Sequence, residues 1–129
     1  HHVLVENHHG LSSDGLWLAQ MLKLVDRPNV GASPDWGNFD NADENAGYDS
    51  FQRMMPFARA VTAKCYDFDR AGNETTLDFP RLVNIAATAN YRGFLGIEYE
   101  GNRLSEADGI HACKALLERI QRGEQRSAA

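Results

Sequence analysis

The chain has 129 residues, 43% hydrophobic and 24% charged, with a formal charge of -5 from 18 acidic and 13 basic residues. Those values describe one ordinary globular domain with a real core rather than a disordered or fibrous chain. An acidic balance without a Lys/Arg run argues against a nucleic-acid partner, and no stretch approaches the roughly 18 apolar residues of a membrane span.

The first run, Val3-Leu4-Val5-Glu6, is short and β-rich, and from Leu11 to Asp26 apolar residues at Leu18, Met21, Leu22 and Val25 follow in helical spacing. Trp17 belongs to the expected core of that helix. Ser12, Ser13 and Asp14 offer capping oxygens at its start, and Pro28 stops it. Val30 to Ser33 is a second strand, closed by Pro34. A long polar loop, Asp35 to Gly47, leads to a helix from Tyr48 to Phe57 carrying Phe51, Met54 and Met55. Ala60 to Cys65 is the third strand. After a turn at Ala71-Gly72-Asn73, a helix from Phe79 to Asn90 takes Asp78 as its N-cap. The stretch Asp67-Phe68-Asp69-Arg70-Ala71-Gly72 reads as an acidic βα turn, since Ala71 stands at the fifth position of what would be a calcium loop and Asp78 at the twelfth. Gly93 to Tyr99 is the fourth strand. The last helix starts at the Ser105-Glu106-Ala107-Asp108 box and runs through Ile110, Leu116, Leu117 and Ile120 to Gln121. The expected domain is 1–121, with a frayed tail over 122–129. Cys65 and Cys113 lack a CxxC spacing and read as reduced, small apolar side chains. With no basic-then-apolar leader, a cytoplasmic setting is the default expectation.

Strands alternating with amphipathic helices call for parallel pairing through right-handed crossovers. Strand parity then separates two faces. Val3, Val5, Val61, Ala63, Leu95 and Ile97 share the helix-covered face, and Glu6, Thr62, Lys64, Glu98 and Glu100 share the other. A doubly wound sheet, apolar on both faces, does not read this way. The expected fold is α/β, with four βα units forming half of a (β/α)8 barrel whose chemistry collects at the carboxyl ends of the strands. Four strands leave two open edges and a bare inner face, so a homodimer or a longer parent chain is expected.

The runs Val3-Leu4-Val5-Glu6-Asn7-His8, Pro34-Asp35-Trp36-Gly37-Asn38-Phe39, Val61-Thr62-Ala63-Lys64 and Gly96-Ile97-Glu98-Tyr99-Glu100-Gly101 occur in order along this repeat. Together they resemble strands five to eight of sugar phosphate isomerases/epimerases with the xylose-isomerase-like barrel. The resemblance implies a divalent cation, Mn²⁺, Mg²⁺, Co²⁺ or Zn²⁺, held by Glu6, Asp35 and Glu98, with Thr62 standing where the family has a His ligand. It also implies Glu6 and Glu98 as base and conjugate acid in proton transfer through an enediolate. Lys64, His8, Trp36 and Asn38 are the expected substrate contacts for a small sugar or sugar phosphate. Two other readings follow from the same resemblance: a non-catalytic sugar-binding or assembly remnant, and an abasic-site endonuclease, which the acidic surface and scarce histidines disfavour.

Overall fold

The computed structural model describes residues 1–39, 43 and 45–123. The expected tail therefore falls, from 124 onward, outside the described residues, as does part of the polar loop. The order is β1 (Val3–Val5), α1 (Gly15–Val25), β2 (Val30–Ala32), α2 (Ala46–Met54), β3 (Val61–Cys65), α3 (Phe79–Thr88), β4 (Leu95–Tyr99) and α4 (Glu106–Gln121). No described helix is long and apolar enough to cross a membrane.

The first helix starts later than its apolar spacing suggests. Gly10–Ser13 form a single 3-10 turn, and Asp14 then takes an extended backbone. Its carboxylate accepts the N–H groups of Leu16 and Trp17, which have no helical partner of their own. At the other end Asp26 turns left-handed at φ 42° and donates its N–H to the Leu22 carbonyl. Replacing Asp14 with Ala should cost about 1 kcal/mol in urea unfolding, the usual worth of an N-cap. A change below a few tenths would remove it from that role.

All pairing is parallel. β1 pairs with β2, Val3 opposite Val30, and β3 with β4, Val61 opposite Leu95. Between β2 and β3 only isolated bridges remain, Ala32 to Ala58 and Asp35 to Thr62. Pro34 explains part of the gap, because it has no N–H to donate and offers only its carbonyl, which accepts from Thr62 N–H at 2.9 Å. The strands thus lie in chain order, but as two two-stranded sheets. The expected continuous half-barrel wall is corrected to a partial βα fold, which is not a full barrel.

The core lies on the helix-covered side, as parity requires. Val61, Ala63 and Cys65 are buried beneath Phe51, Met54, Phe79 and Leu82. Trp17 is a correction, since it is 39% exposed. Gly15 approaches α2 so closely that a Cβ there would lie 2.6 Å from Ser50 Cα, which fixes the flank of α1 that faces inward. Leu18 and Leu22 share that inward side, and Trp17 and Leu24, two turns apart, point away from it.

The fourth unit departs from the repeat. Successive turns of α4 place Gly109 against the Tyr99 ring, Cys113 beside Cys65, and Arg119 on the carbonyls of Ala71 and Gly72. Those partners step from β4 to the end of β3 and on to the loop after it. α4 therefore crosses the strand ends on the outer side, and its last turn sits near the first turn of α3, Leu116 and Ile120 sharing a cavity with Phe79 and Arg81.

Candidate functional site

The carboxyl ends of the strands bring three acids together. Glu6 follows β1, Asp35 follows β2, and Glu98 lies in β4; one carboxylate oxygen of each falls within 4.8 Å of the others. Asn7 sets much of this arrangement. Its side chain accepts the Asp35 N–H and donates to the Asp35 carbonyl, both at 2.8 Å, so the ends of β1 and β2 are clamped with Glu6 and Asp35 side by side. Asn7 is fully buried, which makes these two hydrogen bonds costly to lose.

Asp35 is itself fully buried. Its Oδ1 accepts the Gly37 N–H at 2.8 Å, and its Oδ2 accepts from Asn38 Nδ2 at 3.0 Å. Asn38, expected to touch substrate, thus holds the Asp35 carboxylate in place. Burial pushes the Asp35 carboxyl up to about 7; the Gly37 N–H opposes this, the Glu98 carboxylate adds to it, and Lys64 opposes it.

Lys64 is the cation among these acids. It stands opposite Glu98 in the β3–β4 register, so both side chains leave on one face. Its Nζ lies 2.9 Å from Glu100, 3.4 Å from Glu98 and 3.5 Å from Asp35. Burial works against the charged ammonium, but the three acids outweigh it and hold its pKa above the ordinary lysine range. Gly37 lets the backbone cross the lysine stem, since a Cβ there would sit 2.7 Å from Lys64 Cδ.

None of the remaining expected residues contributes a donor to the group of acids. Trp36 is buried on the core side, edge-on to Phe51 and Phe79, with its indole N–H donated to the Lys64 carbonyl at 2.7 Å. His8 is exposed, its N–H held by Ser12 Oγ at 2.8 Å, and it is not among the grouped donors. Thr62 bridges to Asp35 through the backbone and brings no imidazole to the group. A cavity of about 840 Å³ on the outer side, lined by Tyr48, Asn73, Arg81 and Arg119, does not include the acids. Asn7 and Glu100 complete the arrangement. Parity places Glu100 on the acid face, whereas an Asn beside a strand end carries no sequence signal that marks it as a clamp.

The donor set suits a hard divalent cation. Carboxylate oxygens bind Mg²⁺, Mn²⁺ or Ca²⁺ at about 2.0 to 2.6 Å, so oxygens sharing one ion lie no more than about 5 Å apart, as these do. With neither thiolate nor imidazole in the set, Mg²⁺ or Mn²⁺ fits better than Zn²⁺ or Co²⁺.

No protein-family model matches the chain. A stretch of 64 residues is 42% identical to part of the C-glycoside deglycosidase alpha subunit of Arthrobacter globiformis. It covers 47% of this chain and 18% of that protein, so the match spans less than a fifth of the relative's length. Over about half its length, then, the chain is similar to part of a sugar-processing enzyme subunit.

Proposed function

We propose that the chain carries a metal-assisted proton-transfer site for a sugar or sugar phosphate, acting as an isomerase or epimerase through an enediolate. The observation that carries this reading is the convergence of Glu6, Asp35 and Glu98 within 4.8 Å at the strand ends. Moving a proton between adjacent carbons of a hydroxy-ketone needs a base at the carbon and positive charge at the carbonyl oxygen. Glu6, Asp35 and Glu98 would hold the cation, which supplies that positive charge when bound. Glu6 acts as the base that removes the proton, and Glu98 is the partner carboxyl that returns one to the neighbouring carbon. Asp35 serves as a ligand alone, since its oxygens are engaged by Gly37 and Asn38. The Lys64 ammonium supplies positive charge on a strand where the resemblance has an imidazole.

A second reading, removal of the sugar from a C-glycoside as part of a larger assembly, is favoured by the 42% identity to the deglycosidase subunit. The test is exchange of solvent deuterium into a ketose phosphate with Mn²⁺ present, beside release of aglycone from a C-glycoside. Deuterium uptake that Glu6→Gln lowers on the order of 100-fold or more supports the isomerase. Aglycone release with the same dependence favours the second reading, and neither activity, together with no Mn²⁺ binding, overturns both.

A further inference from the structure

Glu100 has no part in the proton transfer described above, yet its backbone is fixed on both sides. Its N–H is donated to the Cys65 carbonyl at 2.9 Å, which carries the β3–β4 pairing one residue past Tyr99. Parity therefore sends its side chain out on the face of Glu98 and Lys64. Gly101 follows, where a Cβ would overlap the Tyr66 carbonyl and the Tyr99 ring, so only glycine fits the turn. The lysine is fixed from its own side. Its stem lies beneath Gly37, where a Cβ would come within 2.9 Å of Lys64 Cβ and Cγ as well as meeting Cδ, and freedom remains only at the ammonium end. Three acids surround that end, and Glu100 is the nearest of them at 2.9 Å, against 3.4 Å for Glu98 and 3.5 Å for Asp35. It is also the one outside the group formed with Glu6.

We infer that Glu100 is a positioning residue, which draws the Lys64 ammonium off Asp35 and Glu98 and so leaves their oxygens to a divalent cation. The inference rests on the metal reading given above. An ammonium and a dication compete for the same carboxylates and repel each other, so a buried lysine between two ligands opposes the ion. With its stem held, Lys64 cannot withdraw to bulk water. Glu100 offers it an acid that is not needed as a ligand, and the ion can take the other three while the lysine stays paired. Without Glu100 the ammonium has only Asp35 and Glu98, and the ion must displace it from both. Glu100 is half-exposed, so water screens its bare charge, and its effect on the ion runs through Lys64.

Calorimetric titration with Mn²⁺ at pH 8 of wild type, Glu100→Gln, Lys64→Met and the double variant measures that route, because a double-mutant cycle isolates the coupling between two residues. While Lys64 is present, Glu100→Gln should weaken binding about tenfold, the size of effect an outer partner of a metal ligand exerts. In the Lys64→Met background the same change should cost less than about twofold, and Lys64→Met alone should bind more tightly than wild type. Glu100→Asp, which keeps the carboxylate, should regain most of the affinity. A measurement that needs only the Glu100 variants is the salt dependence: a loss carried by a buried pair persists at about 1 M salt, whereas one carried by an exposed charge is screened away. Wild-type affinity in Glu100→Gln, an equal loss in both lysine backgrounds, or a loss that vanishes in salt overturns this inference and leaves the metal reading standing. No Mn²⁺ binding by the wild type overturns both.

Discussion

Lys64→Met should lower the unfolding free energy of the metal-free protein by about 3 kcal/mol at pH 8, because removing one partner of a buried ion pair strands the other. The lysine is one of the largest fully buried side chains, and Asp35 beneath it is fully buried too. Glu98 and Glu100 are less affected. Their side chains are 43% and 48% exposed, so water screens them, and the expected loss sits at the low end of the usual range for broken buried pairs. Methionine keeps the apolar stem beneath Gly37, which separates the charge from the packing. The sign of the pH dependence follows from Asp35. Its carboxyl titrates near 7 in the fold against an ordinary value near 3.8, so the fold holds an additional proton between those values. The stability this group contributes is complete below about pH 4 and is lost as pH rises through 7. Without the lysine the carboxyl moves higher still, so the variant should lose less at pH 5.5 than at pH 8. Urea unfolding in chelator followed by circular dichroism measures both. Adding Mn²⁺ should restore more stability to the variant than to the wild type, since a cation then relieves the same three acids. A loss below about 1 kcal/mol at pH 8 would mean that Lys64 is a bystander.

The faces of the strands were legible because a strand has a side-chain period of two. Lys64 and Glu98 are read onto one face from their own strands, and the register then puts them opposite each other. The caps Asp14, Asp78 and Ser105 were legible for a local reason: each accepts a hydrogen bond from an N–H within three residues. What is set by distant partners was not. The path of α4 depends on where Cys113 meets Cys65 and Arg119 meets the Ala71–Gly72 carbonyls, contacts between segments far apart in the chain. Sequence alone assigns Trp17 to the core, because a helical apolar stripe looks alike whether its neighbour is present or not; the close approach of Gly15 to Ser50 decides which flank turns inward. The broken ladder between β2 and β3 was half visible, since Pro34 was already the end of a strand. The clamp by Asn7 on Asp35 was invisible, because it is made across 28 residues by a side chain common in turns.

Asp35→Asn should weaken Mn²⁺ binding by more than about 100-fold, the upper end of what losing even an outer hydrogen-bond partner of a metal ligand costs. The amide replaces a carboxylate that must be ionised to bind the ion, while it can still accept the Gly37 N–H that now holds Oδ1. The fold should therefore survive. The Lys64 ammonium keeps Glu100 at 2.9 Å and Glu98 at 3.4 Å, so it is not left unpaired. The wild type carries a further signature. Because the Asp35 proton at about 7 must leave before the ion enters, the apparent affinity should rise close to tenfold per pH unit below 7 and level off above it. In the D35N variant that rise should flatten over the same window, since no proton remains at this position to displace. Calorimetric titration with Mn²⁺ between pH 5.5 and 8.5 measures the affinity and the released protons together. Equal affinities for wild type and variant, or a wild-type profile flat across pH 7, would show that an ion binding this protein does not sit on Asp35. Either result would remove the one buried carboxylate around which the proposed site is built.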